Sequence, residues 1–168
     1  MMYTSAEANK LLSKLYSEQN MVLEKEEMCR NFIAATCENI EDVRPDYDFE
    51  AYQEKIAELE KSIRTVKHAI NVFNVTHVIP EFGITIDQAL VYIPQLTSRK
   101  FKLLAMSKRN AKRRLSNDSG SNLIEYEYAN YDIAAAEEKF RKTSDELSRL
   151  QNALDVENST VKFEIDIC

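Results

Sequence analysis

Glycine and proline are scarce, at 2 and 3 residues in a chain of 168. Both make tight turns cheap, glycine by reaching positive φ and proline by fixing φ. A sandwich or barrel of many short strands needs such turns repeatedly, so that class is excluded. Tryptophan is absent and cysteine occurs three times, at Cys29, Cys37 and Cys168. An odd count gives no disulfide framework and fits reduced thiols in a cytosol. Cys29 and Cys37 read as small packing residues on one helix. No apolar run approaches the length of a membrane span, so no membrane partner is expected. The N-terminus carries neither a basic stretch nor an apolar core of signal-peptide length. Together these absences point to the cytoplasm, or to the host cytoplasm if the chain is phage-encoded.

What is present suits helices. Charged residues make up 30% of the chain and apolar ones 44%. Phe49, Tyr52, Ile56, Leu59, Ile63, Val66, Ile70 and Phe73 follow a 3,4 spacing without a break, which is a heptad seam. As one helix the segment would be about 37 Å long.

A shift of 84 residues lays this segment on another. Tyr47-Asp48 falls on Tyr131-Asp132, and Asn74-x-Thr76 falls on Asn158-x-Thr160, with 9 identities in 30 positions and no gap. The seam carries over as Ile133, Ala136, Phe140, Leu147, Leu150 and Leu154, and breaks at Thr143 and Glu157. The starts repeat at an offset of 81, where Thr4-Ser5-Ala6-Glu7-Ala8 falls on Thr85-Ile86-Asp87-Gln88-Ala89. Each is a capping box, with Thr as cap and Glu or Gln reaching back.

The expected fold is therefore mainly α: two tandem antiparallel helical hairpins, four long helices in all, with an approximate internal repeat. The repeat units run about 4–76 and 85–160 within a single helical domain, 1–168. Helix one is expected over 5–36 and helix three over 86–114, where Pro94 kinks it or marks its true first turn. Ser116 to Asn122 is a polar turn signal. Two segments alternate like short strands, near 123–129 and 160–167, and are candidates to pair with each other.

Several stretches resemble the septicolysin-like family of small bacterial and phage proteins. They are Ile63-Arg64-Thr65-Val66-Lys67-His68-Ala69-Ile70-Asn71, Thr85-Ile86-Asp87-Gln88-Ala89-Leu90, Tyr126-Glu127-Tyr128-Ala129-Asn130-Tyr131-Asp132, and Leu150-Gln151 through Leu154-Asp155 to Asn158 and Thr160. The resemblance covers Thr4 to Ile167. It implies a helical fold and homo-oligomers, and it carries over no catalytic residue. The family's name suggests a cytolysin. A chain with no Trp, no amphipathic insertion hairpin and no secretion signal makes that the weakest functional reading.

Catalytic and metal chemistry find little footing. The two histidines, His68 and His77, have no Cys or carboxylate at a zinc-ligand spacing. Neither stands in a nucleophile–base motif. Gly83 and Gly120 stand alone, so no glycine-rich phosphate loop exists. The expectation is a non-enzyme without metal or cofactor.

One segment departs from the acidic balance of the chain, whose net charge is −6. Arg99, Lys100, Lys102, Lys108, Arg109, Lys112, Arg113 and Arg114 place 8 cations in 16 residues, with no acidic residue among them. Across the polar turn come Tyr126, Tyr128 and Tyr131. Guanidinium groups grip phosphate bidentately and phenol rings stack on bases. Arg109, Arg113, Arg114, Tyr126, Tyr128 and Tyr131 are thus the candidate ligand-binding residues for a phosphorylated, nucleotide-like molecule. A blander reading makes the cations a helix end that complements the macrodipole, and the tyrosines a packed strand edge.

Three roles follow. The first is a non-enzymatic oligomer that sequesters a nucleotide, as a phage sponge of host immune signals would in evading anti-phage defence. The second is a structural or protein-interaction module acting through the heptad seam. The third, nucleic-acid binding, is disfavoured by the acidity elsewhere and the shortness of the basic patch.

Overall fold

A computed structural model describes residues 1–115 and 124–166. Among them the protein is mainly helical, with short strands. Its helices are α1 (Ser5–Cys29), α2 (Ile40–Val43), α3 (Phe49–Thr76), α4 (Ile86–Ser107) and α5 (Ile133–Thr160). Its strands are β1 (Met2–Thr4), β2 (Val78–Ile79), β3 (Ile84–Thr85), β4 (Lys112–Arg114), β5 (Tyr126–Tyr128) and β6 (Lys162–Glu164). The chain forms two compact units, Met1–Thr76 with Val156–Cys168, and His77–Asp155. None of the described helices is long and apolar enough to cross a membrane.

In the first unit, α1 and α3 make the hairpin. Ala8, Val66, Ile70 and Ile165 form its buried centre, flanked by Leu11, Leu12, Leu15 and Phe163. β1 pairs antiparallel with β6, Tyr3 opposite Phe163. Phe163 in turn stacks on Phe73, with ring centroids 4.5 Å apart. The C-terminal strand therefore closes the open side of the hairpin with apolar surface, where burial gains most.

In the second unit the buried residues are Ile79, Ile86, Ala89, Leu96, Ala136, Leu147, Leu150 and Leu154, with Thr143. β2 pairs antiparallel with β3, Val78 opposite Thr85. Gly83 closes the turn between them at φ 64°, the left-handed region that glycine enters without strain.

The sequence repeat is present in the elements. α3 and α5 have 28 residues each, with both ends 84 apart. Asp48 Oδ1 accepts from Ala51 N–H at 3.0 Å, and Asp132 Oδ1 accepts from Ala135 N–H at 3.3 Å. At the other ends, Thr76 and Thr160 each donate to the carbonyl four residues back, Val72 and Val156, at 2.7 Å. Val66 and Leu150, also 84 apart, are both fully buried. Both predicted capping boxes are formed, at Thr4 and at Thr85. Strand pairing repeats too: Thr4 opposite Lys162 in the first unit corresponds, by the same two offsets, to Thr85 opposite Val78 in the second.

Several expectations are corrected. α1 stops at Cys29 rather than continuing to residue 36, and Ile33 is 95% exposed. A helix this far along the hairpin persists only where a partner buries its stripe, and Ile33 has none. Cys37 accordingly lies outside α1, exposed, while Cys29 is its last residue. α4 stops at Ser107, not 114. Continuing it would stack Lys108 on Lys112 and Arg109 on Arg113, like charges four residues apart on one helix face. Pro94 lies inside α4, beyond its first turn. The two alternating segments do form strands, β5 and β6, but pair with β4 and β1 instead of each other. Each takes a partner that the hairpin geometry of its own unit delivers. The polar turn 116–122, with residue 123, and residues 167–168 lie outside the described residues.

Candidate anion-binding site

The last turn of α4 closes with Lys108 N–H donating to the Leu104 carbonyl and Arg109 N–H to that of Met106. The chain then turns into β4, which β5 meets antiparallel. Lys112 stands opposite Tyr128, Arg113 opposite Glu127, and Arg114 opposite Tyr126. Ala129 N–H to Ala111 carbonyl at 3.0 Å and Leu115 N–H to Glu125 carbonyl at 2.9 Å extend the ladder at either end.

Directly opposed residues of a ladder share a face, and neighbours alternate. One face of the hairpin thus carries Lys112, Arg114, Tyr126 and Tyr128. The two phenol rings lie 6.4 Å apart, and the Lys112 ammonium sits over both, 4.0 Å from one centroid and 5.4 Å from the other. The quadrupole of each ring attracts that charge.

The other face carries Arg113 and Glu127. Arg113 Nη2 approaches Glu127 Oε2 at 3.0 Å, and Arg109 Nη1 approaches Glu127 Oε1 at 3.0 Å. The side chains are partly exposed, 63% for Arg113, 57% for Arg109 and 36% for Glu127. Around them lies a cleft of about 210 Å³ lined by Lys108, Arg109, Asn110, Arg113, Glu127 and Ala129. Three of its lining side chains are cations and one is a carboxylate.

The six candidate residues therefore fall into three places. Arg109 and Arg113 come together in the cleft. Arg114, Tyr126 and Tyr128 share the opposite face with Lys112. Tyr131 is engaged elsewhere, its hydroxyl donating to the Met106 carbonyl at 2.9 Å and tying the start of α5 to the end of α4. A single pocket lined by all of them, expected from the sequence, is excluded by the register, because Arg113 and Arg114 are neighbours on one strand and point to opposite sides. The cations also do not form one helix end. Lys112, Arg113 and Arg114 are strand residues.

The candidate residues left out Glu127 and Asn110, and Lys108 stood only among the eight cations of the basic segment. The signal for Glu127 was the alternation Tyr126-Glu127-Tyr128, which already set it against the tyrosine face.

Elsewhere, a groove of about 470 Å³ in the first unit is lined by Leu15, Leu59, Ser62 and Thr65 together with Lys55 and Lys61, Glu18, Glu58 and Asp166. Its carboxylates outnumber its cations, and one pair, Lys55 and Glu18, stands 3.7 Å apart. It offers an anion no advantage. In the second unit, Tyr92 donates to Glu146 at 2.6 Å, and that hydrogen bond, then burial, raises its phenol pKa above the usual 10.0. Among the described residues no group of three or more His, Cys, Asp or Glu is placed to hold a metal ion.

No family model matches the chain, and no curated protein matches it. A crystal structure of a functionally unknown conserved protein from Corynebacterium diphtheriae is similar, with a TM-score of 0.57 at 15% sequence identity, over 98% of this chain and 100% of that one. At that identity the likeness is one of fold.

Proposed function

We propose that the protein is a non-enzymatic binding protein for a phosphorylated, nucleotide-like small molecule, and that the cleft of Lys108, Arg109, Asn110 and Arg113 takes its phosphate end. The observation that carries this is the pairing of two guanidinium groups, both within 3.0 Å of one carboxylate, at the mouth of a cleft with a third cation. An acidic chain has gathered these cations by the fold, from the end of α4 and from β4. A pair of guanidinium groups matches phosphate geometry better than scattered lysines do. Sequestration of a nucleotide signal, as a phage-encoded sponge would perform, needs this grip and no catalytic group.

A thermal-shift screen of mono-, di- and cyclic nucleotides tests the reading. A ligand that binds only the folded form raises the melting temperature by mass action. At least one nucleotide is expected to do so with wild type and to fail with the double variant Arg109→Ala, Arg113→Ala. The unliganded melt of that variant should stay close to wild type, since exposed ion pairs contribute about 0–1 kcal/mol. No shift with any nucleotide would favour the interaction-module reading, for which the exposed Met28, Ile33 and Phe49 supply apolar surface.

A further inference from the structure

We propose that Glu127 is a built-in competitor for the cleft: its carboxylate stands where the ligand's phosphoryl group binds, and an incoming phosphate displaces it. The inference rests on the anion-binding reading and adds to it both a mechanism and a ligand class.

The geometry is that of a bridging anion. Glu127 gives one oxygen to Arg109 and the other to Arg113, each at 3.0 Å. A phosphoryl group offers two oxygens to two guanidinium groups in the same way, with a further oxygen to spare. Among the described residues the carboxylate is held by these contacts and its own backbone. Its side chain is 36% exposed, so it can swing into water while the ladder between β4 and β5 stays intact. What it leaves behind is a cleft whose titratable lining is Lys108, Arg109 and Arg113, all cationic.

Charge and size then narrow the ligand. A free monoanion that replaces Glu127 gains nothing over a carboxylate already tethered at the spot. An anion with two or more charges does gain, because its extra charge engages Lys108. Pockets that enclose a drug-sized ligand hold about 300–1,000 Å³. A cleft of about 210 Å³ is smaller, so it seats a phosphate or diphosphate group and leaves any attached nucleoside outside. The class is a phosphomonoester or diphosphate, with specificity read at the phosphate.

The apparent affinity of a site is its intrinsic affinity multiplied by the fraction of molecules in which it is open. Two exposed ion pairs close this one, each favouring the closed form by up to about fivefold. Removing the charge should therefore tighten binding by about two- to thirtyfold.

Isothermal titration calorimetry with inorganic pyrophosphate, and with acetate as the monoanion, makes the test on wild type, Glu127→Gln and Glu127→Ala. Gln keeps the shape and removes the charge, and Ala guards against a new contact made by the amide. Pyrophosphate is expected to bind wild type, and to bind both variants more tightly by that factor, while acetate gives no heat with wild type. Pyrophosphate binding to wild type with equal or weaker binding to both variants would overturn the competitor role and leave the anion-binding reading standing. Acetate binding to wild type as tightly as pyrophosphate would overturn the ligand class. No heat from pyrophosphate with any of the three proteins would overturn both the inference and the reading beneath it.

Discussion

The cap of α1 closes on a carboxylate and the corresponding cap of α4 on an amide. Thr4 N–H donates to Glu7 at 2.9 Å, and Thr85 N–H donates to Gln88 at 2.9 Å. The backbone hydrogen bond from Thr4, then that from its side chain, lowers the Glu7 pKa below the usual 4.5. A carboxyl whose folded pKa lies below its unfolded one adds stability above the unfolded value and loses it as pH falls through the folded value. Glu7→Gln should therefore melt less differently from wild type as pH is lowered below about 4.5, where Glu7 protonates and its share disappears. Melting curves at pH 7 and pH 3 check this. A difference that grows toward pH 3 would contradict it. Both caps were legible in the sequence because their partners sit three residues apart. The pairing of Glu127 with Arg109 was not, because the two stand 18 positions apart, across a chain reversal that no local pattern fixes.

At the scale of elements, the heptad seam of α3 divides. Leu59, Ile63, Val66, Ile70 and Phe73 are buried, whereas Phe49 is exposed and Tyr52 and Ile56 are half-buried. The periodicity named the right face along its whole length but not where cover ends. The same reason explains α1 and α4, whose starts were legible from caps and whose ends were set by tertiary partners. Thr143 is the converse case: a break in the seam by composition, yet buried in α5 like Leu59, its counterpart in α3. Ile63 is 7% exposed. Ile63→Asp would bury an unpaired carboxylate, at a cost of the order of 3 kcal/mol or more. That corresponds to a fall of roughly 10 °C in melting temperature for a chain of this size. The exposed Glu60, changed to Ala, serves as control and should move the melt little. An Ile63→Asp melt equal to wild type would show that the seam is not buried.

Over the whole molecule, the chain is acidic, yet its second hairpin ends in a concentrated basic patch. Lys108, Arg109, Lys112, Arg113 and Arg114 stand there against Glu125 and Glu127. On the proposed reading, a local positive field in an otherwise acidic chain favours small anions over large polyanions. The internal repeat sharpens the contrast. In the first hairpin the loop between helices carries α2 and acidic residues such as Glu38, Glu41 and Asp42. The shared helical frame was legible from the two offsets, and the difference between its ends was legible as charge. The assembly of the cleft, with Arg113 turned from Arg114 and bridged to Arg109 through Glu127, came only from strand register. Register also supplies the most direct check. Side-chain NMR of the arginine Nε–H groups, recorded while pyrophosphate is added, should shift Arg109 and Arg113 together along one saturable curve and leave Arg114, on the opposite face, nearly unmoved. Equal shifts at all three, or none at Arg109 and Arg113 at millimolar pyrophosphate, would contradict the account.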